Sequence, residues 1–318
     1  MKVAIRYIFK CILFGSLLLS LAGLKPARLW AAAASPADKH VLVLFSFRTI
    51  LPAQAAIDQG LRAALLAGSQ TPVDIEIEYL DLVRFEEAAY LAELLHLLQR
   101  KYAHRQFDAI IPVFDPAVQF VLKYGDSIFP GVPVVFTAEY QKIVEKLRLK
   151  PHVTGVMAAP DFVPMLQLAL TFQPQTRQVI VVSGIADFDR LALNWAREAF
   201  APFQDKLTFS YLAGLSLEEL QDRVSRLPPH AIVYYLTLMR DGKGQEFVPQ
   251  IALKLVADAA KVPVYGVYDS LLGQGIVGGP LVDMRDQGRL AGELTAQILN
   301  GKKPEHLPPI LAANPHKF

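Results

Sequence analysis

Cysteine is nearly missing from this chain: its 318 residues contain one, Cys11. A single thiol excludes an intramolecular disulfide and any cluster of thiolates around a metal. Charge is also sparse, at 19% Asp, Glu, Lys and Arg. That is below the quarter or so usual in soluble domains, and it argues against long disordered tracts. The seven histidines are scattered, with no HxxH or HExxH spacing to suggest a metal site. No GxGxxG follows a strand-like run, no Walker loop occurs, and no GxSxG nucleophile elbow is found. Asp and Ser residues are available, but no base is paired with a nucleophile. The sequence therefore points away from catalysis and names no catalytic residue, no metal ligand and no cofactor. An exported α/β enzyme stays open as a third reading, one that would require turnover.

Basic residues are unevenly placed. Five of the 32, Lys2, Arg6, Lys10, Lys25 and Arg28, precede residue 35, where no acidic residue occurs. The remainder carries 27 basic against 30 acidic residues, a slightly acidic body that argues against nucleic acid as a partner. The basic start, an apolar run over 11–24 and the small residues 31–34 form an export signal over residues 1–34, which places the protein in the periplasm. The apolar run is short for a membrane span, which needs about 20 residues. An uncleaved N-terminal anchor is the alternative. Removal of the signal takes Cys11 with it. No later segment resembles a membrane span.

What is present is apolar: 53% of the residues, enough for one large or two medium cores. The pattern alternates. Strands are expected over 40–45, 73–80, 109–113 and 132–136, with helices between them over 52–67, over 87–105 and from Asp115-Pro116 onward. Asp suits a helix N-cap and Pro the first helical position. The pattern restarts with an extended piece at 153–157, a helix from Asp161, and strands over 178–182, 207–212, 231–236 and 263–267. Ser216 and Glu219 have the spacing of a capping box. The last stretch, 263–301, reads as a strand, a loop, a glycine-rich strand and one amphipathic helix. Asp283 caps that helix, and Leu290, Leu294 and Ile298 face inward. Alternation of this kind implies parallel sheets covered by helices. The expected fold is α/β, two Rossmann-like lobes joined by a hinge: lobe I over 35–138, lobe II over 139–265, and a return to lobe I with a C-terminal tail over 266–318.

Ligands of open parallel sheets bind beyond the carboxyl ends of the strands. That rule names Ser46, Phe47, Arg48, Asp115, Pro116, Thr137 and Glu139 in the first unit. In the second it names Ser183, Asp187, Tyr235, Thr237, Tyr268 and Asp269. Phe47, Tyr235 and Tyr268 offer rings that can stack on a ligand. Asp115, Asp161 and Asp187 equally suit plain N-caps, Arg48 a solvated loop, and Gly278-Gly279 backbone geometry near the hinge. Tyr234 belongs in the core.

Four motifs carry a resemblance: PVVFTA (133–138), VTGVMAAPDF (153–162), PVYGVYDSLLGQGIVGG (263–279) and GRLAGELTAQILNGKKPEHLP (288–308). Their order and spacing resemble the ABC-transporter substrate-binding proteins with the type I periplasmic-binding fold, in the branch associated with aromatic amino acids and related solutes. The chain departs from that pattern at Glu139-Tyr140 and at 237–239, both ligand-contact positions in the family. The resemblance implies a small-molecule ligand, an amino acid or similar solute, held between two closing lobes, and a membrane permease as partner. YLDLVRF (79–85) and the tail PPILAANPHKF (308–318) are similar to the extracytoplasmic sensor version of the domain. That similarity implies a ligand-sensing role with a sensor partner as the alternative.

Overall fold

The computed structural model describes residues 38–49, 51–85, 87–139 and 149–318. The export signal expected over 1–34, including Cys11, lies outside these residues, as does Tyr140. The described chain runs β1 (Lys39–Phe45), α1 (Pro52–Gly68), β2 (Val73–Tyr79), α2 (Ala88–Lys101), β3 (Ala109–Val113), α3 (Asp115–Ile128), β4 (Val134–Ala138) and β5 (Val153–Met157). It continues α4 (Phe162–Phe172), β6 (Gln178–Ser183), α5 (Asp187–Phe200), β7 (Thr208–Leu212), α6 (Leu217–Ser225), β8 (Ala231–Thr237), α7 (Pro249–Ala259) and β9 (Val264–Tyr265). Short β10 (Gly279–Pro280), the long α8 (Met284–Leu299), β11 (Ile310–Leu311) and β12 (His316–Lys317) complete it.

Two parallel sheets result. The first has the order β11-β5-β4-β3-β1-β2 and the second the order β7-β6-β8-β9. In each, the order reverses beside the first strand, between β1 and β3 and between β6 and β8. Such reversals leave a gap between the connections at the carboxyl ends of the strands. The pleat of β1 explains why its run is apolar throughout. Val41, Val43 and Phe45 pack on one face with Ile57, Leu61 and Leu65 of α1. Leu42 and Leu44 pack on the other with Leu94 and Leu98 of α2 and Val118 and Val121 of α3. Both faces of a parallel sheet are covered, so neither alternate position can be polar.

One grouping read from the sequence differs from the sheets. The restart of the pattern puts 153–157 with the second half, but β5 pairs with β4 from Val134↔Val153 to Ala138↔Met157, extending the first sheet. Its polar Thr154 is tolerated because the hydroxyl donates to Leu307 O at 2.6 Å. The expected helix over 87–105 stops at Lys101.

Asp283 accepts from Asp286 N–H at 2.9 Å and caps α8. That helix lies directly on α1, and glycines set the spacing. A Cβ on Gly288 would sit 2.1 Å from Ile57 O, and one on Gly60 2.1 Å from Arg285 O. The two backbones therefore touch where any side chain would force them apart. The chain passes between the halves in three places that lie side by side. Ala312 N–H donates to Met157 O at 2.7 Å, Leu281 N–H to Pro315 O at 3.1 Å, and Asn314 Nδ2 to Ala159 O at 2.8 Å. Gly278 and Gly279, at φ 102° and 142°, turn the middle crossing through a region that only glycine enters readily.

Candidate functional site

The carboxyl ends of the two sheets face a crevice made of three adjoining chambers. The central one, about 50 Å³, is lined by Phe47, Leu51, Phe114 and Glu139 from the first half, by Phe188, Leu236, Thr237, Met239 and Gln250 from the second, and by Tyr268, Leu271 and Met284. A flanking chamber of about 340 Å³ lies between Asp115, Pro116, Gln119 and Lys123 on one side and Asp187, Phe188 and Leu191 on the other. The third, about 250 Å³, holds Arg48, Asp81 and Arg84 opposite Arg240, Glu246 and Phe247. Phe47, Leu51 and Met239 line both the central and the third chamber, and Phe188 both the central and the second.

Local structure explains how these groups are held. Phe114 is at φ 69° and Asp81 at φ 52°, the two non-glycine residues with left-handed backbone among those described. Both line the crevice, where such strain is concentrated in many binding proteins. The turn at Phe114 aims its ring at Phe47, edge-on at 5.6 Å. Asp81 is held by a bidentate pair with Arg84. Glu139 follows β4 and is buried. Its N–H donates to Asp115 Oδ2 at 3.3 Å, and its Oε2 accepts from the Tyr268 hydroxyl at 3.2 Å. Burial, then the neighbouring Asp115 carboxylate, push the Glu139 carboxyl well above the usual carboxylate range, against the pull of that hydroxyl.

The residues named from strand ends divide three ways. Phe47, Glu139, Thr237 and Tyr268 meet in the central chamber. Asp115, Pro116 and Asp187 line the second chamber and Arg48 the third. Ser46, Thr137, Ser183, Tyr235 and Asp269 line none of them. Ser46 Oγ donates to Val113 O at 2.7 Å and accepts from Ala117 N–H at 3.0 Å, tying β1 to β3 and the start of α3. Ser183 Oγ donates to Asp189 O at 3.0 Å. Thr137 is buried within β4. The Tyr235 ring is fully buried, with its hydroxyl on Pro249 O at 2.8 Å, so it has no face to stack on a ligand. Asp269 holds the C-terminal tail: its Oδ2 pairs with Lys317 Nζ at 2.9 Å, which also reaches Asp283 at 2.7 Å. Tyr234 lies in the core as expected.

Strand-end reasoning missed Phe114, Phe188, Leu236, Met239, Gln250 and Leu271. Several sit one position from a named residue: Phe114 beside Asp115, Phe188 beside Asp187, Leu236 beside Tyr235. Asp189 was missed as well, although an acid at the third position of a helix is a readable capping signal. Buried completely, it accepts from Ala186 N–H at 3.1 Å, Met239 N–H at 3.1 Å and Arg240 N–H at 3.3 Å. Burial pushes its carboxyl up to about 6 against the pull of these donors. No helix among the described residues is long and apolar enough to cross a membrane.

Comparisons with known proteins agree with this geometry. Residues 50–318 match the family model described as ABC transporter substrate binding protein. No curated protein gives a significant match. Among solved structures, an ABC domain from Streptococcus pneumonia in complex with L-Trp is similar at 16% identity and a TM-score of 0.63, over 87% of this chain and 90% of that one. A ligand-free, open substrate-binding protein with adhesive properties from Clostridium difficile aligns at 16% identity and 0.62, over 88% and 90%. A glucose-galactose binding protein from Geobacillus stearothermophilus aligns at 16% identity and 0.56, over 88% and 96%. At these identities the likeness is one of fold, the two-lobed α/β type I periplasmic-binding architecture. The sensing alternative draws no support from these matches. By the family model and the crevice together, the chain belongs to the ABC transporter substrate-binding proteins, a family of binding proteins and not of enzymes.

Proposed function

We propose that this protein is an exported solute receptor that encloses a small molecule in the crevice and presents it to an ABC permease. The carrying observation is the central chamber, whose walls come from the carboxyl-end loops of both sheets. A solute there touches both halves at once, so it binds the closed arrangement better than an open one and shifts the population toward closure. The three adjacent crossings near 157–160, 278–283 and 312–315 serve as the hinge. The α1–α8 contact makes the first half a rigid platform for that motion. The basic, apolar and small-residue pattern of residues 1–34 supports export to the periplasm, in keeping with the extracytoplasmic setting typical of the family.

A thermal-shift screen with amino acids, amines, sugars, purines and small carboxylates tests the reading. At least one class is expected to raise the melting temperature by several degrees through mass action. The rise should be lost in Phe47→Ala and Phe188→Ala, which open opposite walls. A rise that persists in both variants, or no rise with any class, contradicts the reading.

A further inference from the structure

The central chamber is rich in acceptors and, among the described residues, no cationic side chain lines it. Among the described residues the Glu139 carboxylate has one side-chain partner, the Tyr268 hydroxyl. Gln250 lines the same chamber, is nine-tenths buried, and its side-chain oxygen has no hydrogen-bond partner. Buried acceptors are ordinarily matched by donors. Glu139 and Gln250 line one small cavity from opposite halves, and apart from the Tyr268 hydroxyl no side chain among the described residues donates to either side-chain oxygen, which marks the place of a further donor. An ammonium group has three N–H donors and the compensating charge.

Size and surroundings narrow the class further. A cavity of about 150 Å³ takes a benzene ring, so the 50 Å³ central chamber holds a head group and not a ring. Its other walls are apolar, among them Leu236, Met239 and Leu271. A carboxylate attached next to the ammonium would be placed beside Glu139 and Asp115, with no cationic side chain among the described residues of the chamber to receive it. We infer that Glu139 and Gln250 form an ammonium-binding subsite and that the solute is an organic amine with an apolar body and no carboxylate beside its nitrogen. The body extends past Phe47 and Met239, which line both this chamber and the next. This rests on the crevice being the solute site.

Calorimetric titration of the purified chain with tryptamine, 2-phenylethylamine, putrescine, tryptophan, N-acetyltryptamine and indole-3-propionate tests it. At least one amine is expected to bind, with its neutral or carboxylated counterpart at least about tenfold weaker. Glu139→Gln should lower the affinity for that amine by roughly a hundredfold, while Glu139→Asp, which keeps the charge, recovers part of it. Gln250→Leu should cost about tenfold. Equal or tighter binding of tryptophan or indole-3-propionate overturns the assignment, as does unchanged amine affinity in Glu139→Gln or the failure of every amine to bind. In those cases a hit from another class in the thermal-shift screen leaves the crevice reading standing, whereas silence in both experiments removes both.

Discussion

Two buried carboxylates, one at the carboxyl end of each sheet, have opposite surroundings: Asp189 and Glu139. Asp189, in the second half, receives N–H groups from Ala186, Met239 and Arg240, which belong to two different rim loops. The packing is so close that a Cβ on Gly184 would lie 2.2 Å from Asp189 Oδ2. Glu139, in the first half, has one backbone contact through its own N–H and one hydroxyl on its carboxylate. Burial raises the pKa of both. Burial alone therefore does not separate an acid that holds the fold from an acid that awaits a partner. The number of donors supplied by the chain itself does. Asp189 stitches β6–α5 to the loop after β8, and Glu139 faces a cavity.

The largest consequence of that difference is for stability. Asp189→Ala strips the acceptor from three backbone N–H groups, each costing about 1–3 kcal/mol when buried without a partner. The expected loss is about 4 kcal/mol, or roughly 10 °C in melting temperature for a chain of this size. Glu139→Gln, which orphans no backbone donor, should leave the melting temperature nearly unchanged. Comparable losses in the two variants would erase the contrast. The smallest effect belongs to Asp187, two residues before Asp189 on the same turn. It is exposed and paired with Arg190, and an exposed pair of this kind contributes about 0–1 kcal/mol. Asp187→Ala is expected to unfold within about a degree of the parent in a thermal melt. A drop approaching that of Asp189→Ala would mean that position on the turn, not donor count, sets the effect.

The same contrast explains what could be read from the sequence. Strand and helix order was legible because both faces of each sheet are covered, which makes β1, β3, β6 and β8 continuous apolar runs. The inward face of α8 was legible from Leu290, Leu294 and Ile298 at a spacing of four. The sheet membership of β5 was not, since a five-residue strand carries no mark of which neighbour it will pair with. At the crevice, the side chains that line the chambers are often neighbours of those the strand-end rule names. Neighbouring residues on extended backbone point in opposite directions. So Leu236 reaches the chamber while Tyr235 turns into the core, and Phe114 reaches it while Asp115 lines the flanking space. Ser46 and Ser183 were plausible ligand contacts by position. Each is instead spent on joining rim loops, a role visible only once Val113, Ala117 and Asp189 are placed beside them. Gln250 carried no sequence signal at all, because it lies in the first turn of a helix after a long loop.

The central claim is that one solute is gripped by both rims at once. Amide hydrogen exchange, measured with and without the first compound to raise the melting temperature, tests it most directly. The account predicts slower exchange both around Phe47, Phe114 and Glu139 and around Thr237, Met239 and Tyr268, with the α1–α8 contact unchanged. Protection confined to one rim, or found away from the crevice, would contradict it.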